Sequence, residues 1–278
     1  MNEKQILSEI EADRQLGRFV LYLEGKTDPD MFFALLGVAP PVSGIHQDVY
    51  VRGLKIDKGS GRTAVRIRVD VAVKYNLALV PGEEGVGGIL DGDGRDLDEL
   101  AAEFDPPHGG PLFSWKSYCL ENLLARAIWP AAWGAAPTWQ SVLEEYSPYS
   151  ALNRVHVQLR AALETLRLAK FTNPQLGQPL LSSQDVKTAL GKDKGLIANR
   201  DVEKMFDAEL ETVRSAIAAS LDRGHALCNG RWIVDHRAPS ATGKSADQCR
   251  AEWCHAVCSA GGMQEVRDLW QRITGTEP

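Results

Sequence analysis

The chain has 278 residues, enough for one large domain or two small ones. Hydrophobic residues make up 44% and charged residues 24%, the composition of a globular protein with a real core, and no window approaches the ~18 apolar residues of a transmembrane helix. A net charge of −6 does not mark a general nucleic-acid binder, but residues 51–75 carry seven basic side chains against two acidic ones, a positive strip able to face a phosphodiester.

The N-terminal segment MNEKQILSEIEADRQ is charged and helical in pattern, with Ile6, Ile10 and Leu16 near one face. It lacks the apolar stretch and cleavage site of a signal peptide, so a cytoplasmic protein is expected. Residues 19–23 form a continuous apolar run ended by Glu24-Gly25, the form of a buried parallel strand. Asp28-Pro29 reads as a helix start with Asp28 as N-cap, and that helix continues through Met31, Phe32, Leu35 and Leu36 to a stop at Gly37. Residues 48–52 alternate and predict a second strand. The periodic stretch 64–75 is β-branched, but its length favours a helix. A third strand is expected at 86–90, running into Asp91-Gly92-Asp93-Gly94, then a short helix at 97–104, a fourth strand at 112–115 and a helix at 118–127. This alternation predicts an α/β fold, an open and mostly parallel sheet flanked by helices, over residues 1–128. Residues 129–150, rich in Pro, Ala, Trp and Ser, read as a linker or irregular cover. Residues 151–278 read as a mainly helical region, with helices expected at 152–170, 184–190, 200–221 and 245–273.

Chemistry is expected where strands run out into acids. In an open α/β sheet, ligands gather beyond the carboxyl ends of the strands. The first strand ends in Glu24 and the third in Asp91-Gly92-Asp93, where residues two apart on an extended segment face the same way. Carboxylates crowded at one sheet edge repel each other, and a hard divalent cation with oxygen ligands relieves that repulsion. Each element alone also reads as an ordinary polar turn.

The segment 20–28, Val-Leu-Tyr-Leu-Glu-Gly-Lys-Thr-Asp, resembles the first motif of TOPRIM domains, and Ile89-Leu90-Asp91-Gly92-Asp93 resembles their Asp-x-Asp motif. Residues 115–124, with Glu121-Asn122 before Leu123-Leu124, resemble a third segment typical of overcoming-lysogenization-defect (OLD) nucleases and of stand-alone TOPRIM subunits such as the AriB-type effectors of the PARIS phage-defence system. The resemblance covers roughly residues 18–127. It implies a TOPRIM-like sheet in which Glu24, Asp91 and Asp93 hold a catalytic Mg²⁺ (Mn²⁺ being possible), Asp28 and Glu121 contribute to a second metal site, and Lys116 contacts the scissile phosphate. Asp28 is equally explained as an N-cap, Glu121 as a first-turn helix acid and Lys116 as a surface lysine. Arg62, Arg66 and Arg68 of the basic strip are the candidate nucleic-acid contacts.

The expected activity is Mg²⁺-dependent endonucleolytic hydrolysis of RNA, tRNA or DNA, as a toxic effector in anti-phage defence. The resemblance implies an ABC-type ATPase partner, and a homodimer is a further possibility. The alternative is a non-catalytic regulatory or nucleic-acid-binding subunit on the same scaffold. Gly243-Lys244-Ser245 does not complete a phosphate-binding loop, because position 238 is Ala and no strand precedes it. His225, Cys228, Cys249, Cys254, His255 and Cys258 contain no C-x-x-C pair, which speaks against zinc.

Overall fold

Five consecutive apolar residues form β1 (Phe19–Leu23), and all five are buried. A strand of this kind must be covered on both faces and paired on both edges, and β1 is the central strand of the sheet. In the computed structural model, which describes residues 2–54, 61–80, 82–95, 97–98, 111–133, 138–162 and 201–278, β1 pairs in parallel with β3 (Val49–Gly53) on one side and with β4 (Gly85–Leu90) on the other. β5 (Leu112–Ser114) extends the parallel array beyond β4. The short β2 (Ile45–His46), which the sequence did not reveal, pairs antiparallel with β3 at the edge. The strand order is β2-β3-β1-β4-β5, so the chain winds outward from β1 in both directions.

Helices cover the two faces by strand parity. Val20 and Tyr22 of β1, with Val86 and Leu90 of β4, face α1 (Glu3–Asp13) and α3 (Gly61–Lys74). Phe19, Leu21 and Leu23 face the opposite way, toward α2 (Asp28–Leu36) and α4 (Leu120–Trp133). α1 starts on a reciprocal capping box between Asn2 and Gln5. α2 stops where Gly37 turns left-handed at φ 85°. Its N-cap position is Thr27 rather than Asp28, whose carboxylate instead accepts the Gly25 N–H at 2.7 Å and closes the turn after β1.

The segment expected as a linker is largely helical. α4 continues to Trp133, and α5 (Trp139–Ala162) begins at Trp139 and accommodates Pro148 within it. Trp139, Val142, Leu143 and Tyr146 are buried, so an apolar stripe holds this stretch in place of a flexible connection. α6 (Val202–Ala219) packs along α5, and α7 (Leu221–Leu227) follows directly. Short helical turns over Gly230–Trp232, Ile233–Arg237 and Ala238–Thr242 lead to α8 (Ala246–Ser259) and α9 (Gln264–Thr274). The pattern read as one helix over 245–273 is broken by Gly261 and Gly262, both at positive φ. α8 and α9 lie on α2, and Trp253, Val257, Trp270 and Ile273 belong to the same hydrophobic cluster as Phe32 and Trp115. The C-terminal helices therefore share the core of the sheet. The helices expected at 184–190, over most of 97–104 and beyond 162 lie outside the described residues. Among the described residues no helix is long and apolar enough to cross a membrane.

Candidate active site

Parallel pairing of β1 with β4 sets Tyr22 opposite Gly88. Glu24 and Asp91, just beyond, emerge side by side at the point where the strand order reverses, the position at which α/β sheets open a crevice. Glu24 continues the strand parity of Val20 and Tyr22 and lies against α3. A Cβ on Gly61, the first residue of α3, would sit 2.4 Å from the Glu24 carbonyl oxygen, so only glycine allows the helix to begin there. Glu24 Oε1 accepts the Asp91 N–H at 2.9 Å, which ties the two strand ends together.

The Asp-Gly-Asp loop is latched by β5 and the turn after it. Gly92 N–H donates to the Ser117 carbonyl and Asp93 N–H to the Tyr118 carbonyl. A Cβ on Gly92 would meet the Ser117 oxygen at 2.3 Å. The expectation that Asp91 and Asp93 face the same way is corrected here. The strand ends at Leu90 and Asp93 is left-handed at φ 54°, so the extended two-residue rule does not apply. Asp93, 44% exposed, pairs with Arg62 at 3.1 Å. Asp91 is buried, and one oxygen lies 3.8 Å from Arg231. Arg62 also donates to the Asp91 carbonyl, and Arg95 to the Gly92 carbonyl.

Two further acids close the group. Asp28 is buried on the turn after β1, and Glu121 is buried in the first turn of α4. Glu121 Oε1 accepts from Arg231 Nε at 2.9 Å, while its Oε2 is buried without a hydrogen-bond partner. Titration behaviour ties these carboxylates together. Burial, then the charge of Asp93, raises Glu24 to about 7. Burial, then Glu121, raises Asp28 to about 6. Burial followed by the charges of Glu24, Asp28 and Glu121 pushes Asp91 well above the usual carboxylate range. Burial acts most strongly on Glu121, and upward, but the adjacent Arg231 guanidinium together with hydrogen bonds from the Cys119 thiol and the backbone outweighs it and holds that carboxyl low.

The donor set is all carboxylate oxygen, which suits a hard divalent cation. The unpartnered Glu121 Oε2 is a position that such an ion would satisfy. In these side-chain positions, however, no group of three His, Cys, Asp or Glu among the described residues stands ready to hold a metal ion. Guanidinium groups of Arg62 and Arg231 supply the positive charge instead. The residues fit a cation in donor chemistry, and holding one requires Arg231 and Arg62 to give up the carboxylates of Glu121, Asp91 and Asp93.

Arg231 was not anticipated from the sequence. It lies 110 residues from Glu121 in the chain, and nothing local in the sequence marks it. Its placement follows from Asn122, which is fully buried. Asn122 Oδ1 accepts from Gly230 N–H at 2.8 Å and Cys119 N–H at 3.3 Å, and its Nδ2 donates to the carbonyls of Cys228 at 2.7 Å and His225 at 3.3 Å. The residue beside Glu121 thus anchors the C-terminal segment that delivers Arg231.

The basic strip divides. Arg62 belongs to the site. Arg66, one turn on, is half-buried. Arg68, a candidate contact in the sequence, is instead 7% exposed, donates to Glu9 at 2.7 Å and lies over the Tyr22 ring, joining α3 to α1. Six residues along a helix is roughly 120° around it from Arg62, which explains the different surroundings. Arg52 is likewise held by Asp13, at 2.7 Å. Lys116 is exposed, and its charge acts on Glu265 at the start of α9. In the late Cys/His group, buried His225 takes the Trp139 indole N–H, and the Cys249 thiol faces the Thr242 hydroxyl.

No protein-family model, curated protein or solved structure matches this chain.

Proposed function

We propose that this chain is a metal-dependent phosphodiesterase of the TOPRIM type, acting on nucleic acid at the carboxylates of the β1 and β4 ends. The observation that carries the reading is the gathering of Glu24, Asp28, Asp91 and Glu121 at the topological switch point, with three of the four pushed upward in pKa by burial and by one another. A cluster so arranged favours a cation or protons in its midst. The three motif resemblances fall on the residues that form it.

Glu24, Asp91 and Asp93 would hold Mg²⁺ or Mn²⁺, with Asp28 and Glu121 as further ligands. Such an ion, when bound, neutralises non-bridging phosphate oxygens and activates water. The chain's own groups supply the rest. Glu24 Oε1 is engaged by the Asp91 N–H, so Oε2 is the oxygen left to face a cation. Arg62, beside exposed Asp93, can orient the phosphodiester. Exposed Lys116 is the remaining cation proposed for the phosphate. The resemblance extends the proposal to a toxic effector of anti-phage defence with RNA, tRNA or DNA as substrate and an ABC-type ATPase as partner.

Incubating tRNA, single-stranded RNA and plasmid with the full chain, alone and with a co-expressed ATPase partner, tests the reading. Cleavage is expected with Mg²⁺, none with chelator, and a loss of ~100-fold or more in Glu24→Ala. Binding without cleavage under every condition would support the second reading, a non-catalytic nucleic-acid-binding or regulatory subunit. One observation favours that alternative: Arg231 and Arg62 already neutralise Glu121 and Asp93.

A further inference from the structure

We infer that Arg231 is a resident counter-ion of the carboxylate site, which a divalent cation must displace from Glu121 and Asp91 in order to bind. This inference rests on the metal-site reading above and identifies which residue governs it. Arg231 reaches the cluster from the C-terminal segment, outside the three motif-bearing stretches. Its Nε holds Glu121 at 2.9 Å, while its Nη2 stands 3.8 Å from Asp91, too long for a hydrogen bond. One grip is firm and the other is electrostatic.

The two carboxylates differ from their partner in exposure. Glu121 and Asp91 are buried, whereas the Arg231 side chain is 49% exposed. The acids are fixed in the protein, and the cation that satisfies them has a route to solvent. Glu121 also presents a buried Oε2 that Arg231 leaves without a partner. A guanidinium engages this carboxylate through one oxygen only, so a small ion with several oxygen ligands can do what Arg231 does not. The anchor of the segment lies elsewhere, in the hydrogen bonds of Asn122 to Cys228 and Gly230. Release of the guanidinium therefore does not require the backbone of the segment to leave α4.

Competition has a definite sign. A positive side chain beside the ligands lowers affinity for a second cation. Even with the dielectric of water, a unit charge ~5 Å from a divalent ion changes its affinity by about tenfold or more. Neutralising Arg231 should thus tighten metal binding, whereas loss of an ordinary stabilising residue or of a substrate contact would weaken it or leave it unchanged.

The test is Mn²⁺ binding without nucleic acid, followed by the loss of the free-ion paramagnetic resonance signal, for the full chain and for Arg231→Gln, Arg231→Lys and Asp91→Asn. Wild-type binding should be weak and reduced further in Asp91→Asn. Arg231→Gln should bind about tenfold more tightly or better, and Arg231→Lys, which keeps the charge, should stay within about threefold of wild type. If Arg231→Gln is unfolded in chelator, Mn²⁺ should refold it, as followed by circular dichroism. Equal or weaker binding by Arg231→Gln, or failure of millimolar Mn²⁺ to refold it, would overturn the exchange and leave the metal site standing. Absence of binding in wild type and in a folded Arg231→Gln would remove the metal site itself, and this inference with it.

Discussion

Replacing Glu24 with Gln separates the electrostatic state of the site from its shape. Glutamine keeps an oxygen in position to accept the Asp91 N–H and removes only the ionisable group. Burial and Asp93 raise Glu24 from 4.5 to about 7. Between these values the native state holds a proton that the unfolded chain has lost, so the wild type loses stability as pH rises through this window. At ~1.4 kcal/mol per unit, the full shift corresponds to about 3 kcal/mol, and partial exposure with shared protons brings the expectation to about 2 kcal/mol. Urea unfolding in chelator should find Glu24→Gln and wild type nearly equal at pH 4, below the window. At pH 8 the variant should be the more stable by about 2 kcal/mol, with the urea dependence unchanged. Comparing the two proteins cancels other groups such as His225, which burial pushes down to about 3 in both. Saturating Mg²⁺ at pH 8 should reverse the order, because only the wild type offers the extra charge. A difference independent of pH, or a variant that is less stable at pH 8 in chelator, would refute the argument that Glu24 is held up by its burial and by the charge of Asp93.

Two further perturbations test the surroundings of the site. Asn122→Ala removes three buried hydrogen bonds that bind the turn at 225–230 to α4 and a fourth from the Cys119 N–H, and at ~1 kcal/mol each should destabilise the fold by about 4 kcal/mol in urea unfolding. The arginines of α3 should part company: Arg62→Ala should weaken nucleic-acid binding and flatten its salt dependence by about one phosphate contact, as read by fluorescence anisotropy at several salt concentrations. Arg68→Ala should leave that affinity intact and cost about 2 kcal/mol of stability, through the loss of Glu9 and of the Tyr22 ring contact.

The sheet was legible from the chain because its central strands are continuous apolar runs bounded by turn residues, a local pattern. The helical nature of 61–74 followed from length alone. β2 was not legible, since two residues paired at an edge leave no periodic trace. The segment 129–150 was misread because Pro, Ala and Trp resemble a linker in composition, while the burial of Trp139, Val142 and Leu143 is imposed by partners elsewhere in the chain.

For the site, the sequence determined which acids are candidates, since Glu24, Asp91 and Glu121 stand at element ends that local pattern alone can locate. Tertiary structure decided what surrounds them. The left-handed turn at Asp93 sends its carboxylate to Arg62, and helical rotation along α3 gives Arg68 to Glu9. Arg231 enters only because Asn122 binds a turn more than 100 residues away. Charges act through space, and distance along the chain carries no information about that distance until the fold has closed.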